Sequence, residues 1–279
     1  MHAVRRIAVA VPLLTLLAIA TAAHGDEVKA ENKEANAAVI APSPEKSAEK
    51  ALGGASTSVS IAGEGGKTLK CREQGAQPFL VRGNWFPRTN DPDKVKAARK
   101  MLDDSIRYRT EKYGYFEGFG SKTWNAKAPK QYAKTTSFMG MGVTVNERII
   151  PALKCVEAAL KASGAGDHYR PRAMGGIRFR NTYKGVEVSN HVYGIAVDIE
   201  PDKNTCCGCV KPWNEHPLCK DKNKTVWDRM VMPRSWVETF EKYGFYWLGH
   251  DVLQDTMHFE FLGDPDKIVE TQGAAVAAQ

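Results

Sequence analysis

The chain has 279 residues, of which 43% are hydrophobic and 25% are charged, and its formal net charge at pH 7 is +7. This length is sufficient for one sizeable globular domain with a buried core. The basic excess suits an anionic cell-wall or envelope surface, and no nucleic-acid-binding motif is visible in the sequence. Nucleic acid is therefore not an expected partner.

Residues 1–25 have the layout of a secretory signal peptide. Arg5 and Arg6 precede an apolar run over 7–20, and small residues follow up to Gly25. The run is too short for a stable membrane span. We therefore expect an exported protein, in a periplasm or outside the cell. Removal of these two arginines lowers the net charge from +7 to +5.

Residues 26–66 are rich in Ala, Glu, Lys, Ser and Gly and contain no aromatic residue. Such a composition cannot bury enough apolar surface to offset the entropy of ordering. We predict a flexible linker over 26–66, either a tether or a plain spacer, and a disordered Ala-rich tail over 270–279. The predicted folded domain is 67–269.

Three helices and four strands are predicted within this domain. The helices begin at capping signals and end at glycines, and they run from Asp91-Pro92-Asp93 to Tyr113, from Asn146 to Gly164, and from Ser235 to Tyr243. Short strands are expected near 174–180, 195–200, 245–248 and 258–262. Helices packed on a small, mostly antiparallel sheet give a single α+β domain.

Two of these strands have one apolar face and one polar face. In 195–200 the apolar residues alternate with a set that includes Asp198, and in 258–262 two phenylalanines alternate with His258 and Glu260. Pairing of the two strands with their polar faces aligned would bring Asp198 and His258 together.

A third polar residue, His191, lies just before the first of these strands. Gly194 allows the intervening turn to fold the imidazole back over the polar face. A catalytic zinc takes three protein ligands from His and Asp or Glu and leaves a fourth position open. His191, Asp198 and His258 are therefore predicted to bind one catalytic zinc ion.

The chain has six cysteines, all in the part predicted to be exported. An even number in an oxidising compartment favours disulfides. Four of them follow Asp198 closely, which leaves Cys71 and Cys155 as the remaining pair. The alternative is a second, structural zinc on the residues Cys206, Cys209, Cys219 and His216. The six are Cys71, Cys155, Cys206, Cys207, Cys209 and Cys219.

The motif Ser-x-His-x-x-Gly-x-Ala-x-Asp, followed by Trp-x-Gly and Asp-x-x-His-Phe-Glu, resembles the signature of a family of zinc peptidases. These are the VanY-type D-alanyl-D-alanine carboxypeptidases and the related L-alanyl-D-glutamate endopeptidases, which cut peptidoglycan stem peptides. The resemblance covers residues 170–263, and paired motifs are more specific than a lone His-rich stretch. It rests on Ser189, His191, Gly194, Ala196, Asp198, Trp247, Gly249, Asp255, His258, Phe259 and Glu260.

The resemblance implies that Asp255 is the catalytic general base, because it lies three residues before the last ligand. A carboxylate there can accept a proton from the water that attacks the peptide carbonyl. Many members of the family have Glu at this position, and the shorter Asp leaves the substrate open. Glu200 and Glu260 are the rival bases.

Four further residues are predicted to bind substrate. The family has an arginine upstream of the first motif, and Arg180, then Arg178, are the candidates for holding a substrate carboxylate. Ser189 can bind the substrate or support the ligand His191. His250 either steadies the oxyanion or lies on the rim of the site, and the rim is favoured.

These expectations together describe an exported zinc metallopeptidase, most simply a D-Ala-D-Ala carboxypeptidase. An L-Ala-D-Glu endopeptidase and a non-catalytic, zinc-containing wall-binding module are the alternatives. Peptidoglycan peptides are the expected partner, with no nucleic acid, no stable membrane span and a monomeric state.

Overall fold

The computed structural model describes residues 58–183 and 187–271. The helices are α1 (Pro92–Tyr113), α2 (Ile150–Ala162), α3 (Ala165–His168), α4 (Asn190–Tyr193), α5 (Pro217–Lys220) and α6 (Arg234–Lys242). The strands are β1 (Ser60–Ala62), β2 (Thr68–Cys71), β3 (Ala133–Phe138), β4 (Met141–Asn146), β5 (Met174–Gly175), β6 (Ala196–Ile199), β7 (Phe245–Trp247), β8 (His258–Phe261) and β9 (Val269–Thr271). This content confirms the α+β class.

The strands form three antiparallel sheets. The four-stranded sheet has the order β5-β6-β8-β7, so that β6 and β8 are its central strands. Strands β3 and β4 form a hairpin, and β1, β2 and β9 form a three-stranded sheet. The four-stranded sheet contains all the strands that the sequence predicted near the two motifs.

The apolar face of β6 and β8 lies on the main hydrophobic core. Val197, Phe259 and Phe261 have no exposed surface. Phe240 of α6 stacks on Phe259, with ring centroids 4.3 Å apart. Because side chains alternate along a strand, this packing turns Asp198 and His258 to the opposite face.

The three predicted helices are present and begin close to the expected residues. The Asp91 carboxylate accepts from the backbone of Asp93 and Lys94 at the start of α1. The Asn146 side chain accepts from the Arg148 backbone, and a 3-10 turn there leads into α2. Among the described residues no helix has the length and the apolar character needed to cross a membrane.

The folded domain extends beyond the predicted bounds of 67 and 269. Strand β1 lies within the predicted linker 26–66, and β9 continues into the predicted tail 270–279. Both strands pair with β2, whose two edges would otherwise be unpaired. The predicted signal peptide 1–25, residues 26–57 of the linker and residues 272–279 of the tail lie outside the described residues.

The strand predicted over 174–180 is wrong beyond Gly175. A Cβ on Gly176 would lie 2.2 Å from the carbonyl oxygen of Thr144, so the chain crosses β4 too closely there for any side chain. The backbone N–H groups of the next two residues bond to partners outside the four-stranded sheet. Ile177 donates to Thr144 and Arg178 donates to the backbone of His191, at 2.8 and 2.9 Å. The arginines that follow are therefore not strand residues.

All six cysteines form disulfides, as the sequence predicted. The pairs are Cys71–Cys155, Cys206–Cys209 and Cys207–Cys219. Their sulfurs are therefore not available as thiolates for the alternative structural zinc. The first pair joins β2 to the buried side of α2 and ties the small three-stranded sheet to the core.

Loss of the first disulfide should destabilise the domain more than loss of the third. The first disulfide joins residues 84 positions apart and the third joins residues 12 positions apart. The chain-entropy model predicts that they raise the free energy of unfolding by about 4.6 and about 2.9 kcal/mol, respectively. Urea unfolding of Cys71→Ala/Cys155→Ala and of the matched control Cys207→Ala/Cys219→Ala measures both. Equal decreases in the free energy of unfolding would contradict the larger contribution expected of Cys71–Cys155.

Candidate metal centre and active site

The register of β6 and β8 places two of the predicted ligands directly opposite each other. Asp198 pairs with His258 across the strands. The Nδ1 atom of His258 lies 2.8 Å from Oδ1 of Asp198. The sheet itself therefore sets the distance between these two side chains.

The third predicted ligand, His191, comes from the single turn of α4. The Ser189 hydroxyl caps this turn by accepting from the His191 backbone at 3.4 Å. The turn ends at Gly194, which has a φ of +69° and passes so close to β4 that a Cβ would lie 2.7 Å from the Asn146 nitrogen. Only glycine suits both conditions. His191 Nε2 then lies 3.2 Å from His258 Nδ1 and 3.2 Å from Asp198 Oδ2.

Hydrogen bonds on the far side of each imidazole fix its orientation. His191 Nδ1 lies 2.6 Å from the carbonyl oxygen of Gly176, and His258 Nε2 lies 3.1 Å from Oε1 of Glu260. When each ring is neutral, donation to these two oxygens leaves a lone pair on His191 Nε2 and on His258 Nδ1. Partners of this kind are typical of histidines that bind zinc.

The three side chains therefore fit a zinc ion. One donor atom from each lies within 4.8 Å of the other two. The residues are only 1 to 4% exposed. Two imidazoles and one carboxylate are the donor types that catalytic zinc prefers.

The charges within this cluster depend strongly on one another. Burial alone would raise the pKa of Asp198, but the neighbouring imidazoles of His191 and His258 outweigh it and hold that pKa well below its usual range. Burial alone would lower the pKa of His258, but Asp198 and Glu260 outweigh it and raise that pKa well above 6.5. Without a metal ion, His258 therefore carries a proton between two carboxylates.

A buried arginine, Arg109 of α1, supports this cluster from behind. It is 1% exposed and donates to the backbone oxygen of Val188 and to the side chain of Asn190, each at 3.2 Å. Asn190 in turn hydrogen-bonds Glu260 and helps to keep the pKa of that carboxyl low against the opposing effect of burial. A chain of polar contacts thus leads from Arg109 to His258.

Arg109 was not singled out in the sequence analysis among the basic residues of α1. The spacing along α1 could have indicated its burial. Arg109 lies at helical spacing from Ala98, Ser105 and Tyr113, which are all buried. Residues three or four apart share a helix face.

Asp255, the predicted base, lies in the turn before β8. Its backbone is held by a bridge to Cys206 and by donation to the Leu248 oxygen at 3.3 Å. Its Oδ1 is buried and has no hydrogen-bond partner among the described residues. Burial raises the pKa of Asp255 to about 7, and the opposing charges of His258 and Asp198 also act on it. A carboxyl group in this state can both accept and release a proton near neutrality.

The two rival bases are both engaged. Glu200 forms an ion pair with Lys203 at 2.8 Å and accepts from the Arg172 backbone at 3.1 Å. Glu260 is bound to His258. Both rivals therefore have side-chain partners, whereas the Asp255 side chain has none among the described residues.

Of the two candidate arginines, the structure brings Arg178 to the cluster. Its guanidinium forms an ion pair with Oδ2 of Asp198, while the side chain remains 45% exposed. Arg180, the first choice from the sequence, is exposed and has neither an ion pair nor a hydrogen bond with the described residues. The reason is the early end of β5, after which the two arginines no longer share a strand face.

The other two predicted substrate residues have local roles in the structure. The Ser189 hydroxyl caps α4 and so supports His191 through its backbone. His250 is exposed and pairs with Glu241 at 2.9 Å. Its ring lies beside Trp247, with centroids 5.1 Å apart. No contact of His250 with the three ligands is present among the described residues.

Comparison with known proteins adds an independent finding. The family model described as D-alanyl-D-alanine carboxypeptidase matches residues 183–261. Comparisons with curated proteins and with solved structures gave no significant match. The match contains the three candidate ligands and Asp255, and it confirms the resemblance seen in the motifs. Over residues 183–261 the chain is thus similar to the D-alanyl-D-alanine carboxypeptidase family.

Proposed function

We propose that this protein is an exported, zinc-dependent peptidase that hydrolyses peptidoglycan stem peptides as a D-Ala-D-Ala carboxypeptidase. One observation carries the proposal. His191, Asp198 and His258 form a buried cluster within the segment that matches the family, and Asp255, three residues before His258, has a buried Oδ1 with no hydrogen-bond partner among the described residues.

The donor set supports zinc as the metal. His191, Asp198 and His258 would hold the ion, and Gly176 and Glu260 would fix the two imidazoles from behind. A bound zinc would polarise the scissile carbonyl and make a water molecule acidic near neutral pH.

Asp255 would carry the proton in the reaction. As a carboxylate it accepts a proton from the attacking water, and as the acid it then passes that proton to the nitrogen of the leaving amine. Burial supports this role, because a pKa near 7 makes both forms accessible at neutral pH.

Arg178 would bind the substrate. Its half-exposed guanidinium stands at the edge of the cluster, where it can reach both Asp198 and an incoming carboxylate. Arginine binds carboxylates through two parallel hydrogen bonds. Arg178 therefore replaces Arg180 as the candidate for holding the terminal carboxylate of the peptide.

Three disulfides support export, because such bonds persist in oxidising compartments. The signal-peptide layout of residues 1–25 supports it as well.

One observation favours a second candidate, an L-Ala-D-Glu endopeptidase. The base is Asp255, where many relatives of the carboxypeptidase type have Glu. The bond that is cut separates the two candidates.

Mass spectrometry of purified muropeptides incubated with the mature protein tests the proposal. The expected result is zinc-dependent loss of a single alanine, abolished by a chelator and restored by zinc. Release of a larger fragment would establish the endopeptidase. If a folded, zinc-loaded sample cleaves no muropeptide, the result would favour the non-catalytic wall-binding module.

Asp255→Asn should lower kcat by about 10²- to 10⁴-fold, because the base that takes the proton is lost. Zinc content should stay at the wild-type level, since Asp255 is not one of the three ligands. Peptide hydrolysis and metal analysis on the same preparation measure both. Wild-type turnover by this variant would remove Asp255 from the mechanism.

Arg178→Ala and Arg180→Ala form a matched pair in one exposed segment. Arg178→Ala should raise KM about tenfold or more, because loss of a charged hydrogen-bonding partner costs about 1.5–3 kcal/mol. Arg180→Ala should leave kcat and KM unchanged. Steady-state kinetics with an acyl-D-Ala-D-Ala peptide decides between them, and the reverse outcome would restore Arg180 as the substrate ligand.

Zinc affinity should rise with pH, because the metal must displace the proton from His258 Nδ1. Because Asp198 and Glu260 raise the pKa of His258 well above its ordinary value, the apparent affinity should increase with pH up to that raised pKa. Competition with a chromophoric chelator measures it. Glu260→Gln removes one carboxylate that raises this pKa and should flatten the slope, whereas an affinity independent of pH would contradict the assignment.

A further inference from the structure

A cavity of about 450 Å³ is lined by Arg178, and its other lining residues have no role in the chemistry described so far. One wall is the segment 115–131, between α1 and β3. The other is formed by Arg178 and Phe179, with Val192 of α4 at the base. The space is large enough for several amino-acid residues of a peptide.

The cavity adjoins the metal centre at two points. Arg178 lines it and also forms an ion pair with the candidate ligand Asp198. Val192 lines it and directly follows the candidate ligand His191. The cavity and the metal centre therefore share Arg178 and the turn of α4.

The charge of the lining is mainly positive. Lys122, Lys130 and Arg178 face a single acidic residue, Glu117. Neither lysine forms a salt bridge with any residue that the structure describes, and Lys122 only lies over the ring of Tyr115, at 5.6 Å. These two cations are free to meet an anion.

Apart from Gln131, the remaining lining is apolar or aromatic. Phe116 and Phe179 contribute side chains, and Phe179 is 69% exposed, which is unusual for a phenylalanine. Aromatic faces next to cations suit a peptide that carries small apolar side chains and a free carboxylate.

We propose that this cavity is a binding subsite for an acidic residue of the substrate peptide that lies away from the scissile bond. The proposal rests on the proposed function, and it names a specificity that the metal centre alone does not supply. Lys122 and Lys130 bind the side-branch carboxylate, while Phe179 packs against the peptide backbone.

Isothermal titration tests this with zinc-loaded protein that carries Asp255→Ala to prevent turnover. The probes are the peptide L-Ala-γ-D-Glu-L-Lys-D-Ala-D-Ala and the same peptide with D-isoglutamine, which lacks the branch carboxylate. Lys122→Glu/Lys130→Glu should weaken binding of the glutamate peptide about tenfold or more, because two attractive charge pairs are lost and each reversed charge repels the carboxylate. Binding of the isoglutamine peptide should change less than threefold.

The matched control is Lys96→Glu/Lys222→Glu, which makes the same change in net charge at exposed lysines outside the cavity. It should alter the binding of neither peptide by more than about twofold. An equal loss for both double variants, an equal loss for both peptides, or no binding of the glutamate peptide would each overturn the subsite.

Hydrolysis of the same peptide by protein with Asp255 intact reports separately on the proposed function. Charge-dependent binding without hydrolysis would support the subsite and refute the peptidase. Hydrolysis with no effect of Lys122→Glu/Lys130→Glu on binding would support the peptidase and overturn the subsite.

Discussion

The antiparallel register of β6 and β8 is the constraint on which the rest of the site depends. It sets Asp198 opposite His258 on one face and the buried Val197 and Phe259 on the other. A slip of one residue would turn the polar side chains into the core and the apolar ones into the site. The stacking of Phe240 on Phe259 opposes such a slip, so core packing and ligand geometry are two results of one pairing.

Electrostatics is the second requirement. Asp198 and Glu260 are buried and nearly inaccessible to water, and buried carboxylates are costly unless cations compensate them. The compensation comes from His258 between the two, from Arg178 at the outer edge and from Arg109 behind Asn190. A zinc ion would replace the proton on His258 and supply the positive charge that compensates the buried carboxylates.

The sequence predicted the parts of this site that follow from short-range patterns. Alternation along 195–200 and 258–262 predicted the two central strands and their polar faces, and glycine at 194 predicted the turn that returns His191 to them. The capping residues Asp91 and Asn146 marked the starts of two helices because a cap depends on its immediate neighbours.

Features that depend on distant contacts could not be predicted in this way. Strand β1 lies in a stretch of low apolar content and forms because β2 offers it a partner. The choice of Arg178 over Arg180 follows from the close passage of Gly176 across Thr144, a contact between segments 32 residues apart. The burial of Arg109 depends on Asn190 and Val188, which no local pattern connects to α1.

Anomalous X-ray diffraction at the zinc absorption edge, on crystals grown with zinc, would test the central claim most directly. The account predicts one strong peak within about 2.0–2.2 Å of His191 Nε2, His258 Nδ1 and an Asp198 carboxylate oxygen, with an open position facing Asp255. A peak at other residues, or no peak at these three in crystals soaked with excess zinc, would contradict it.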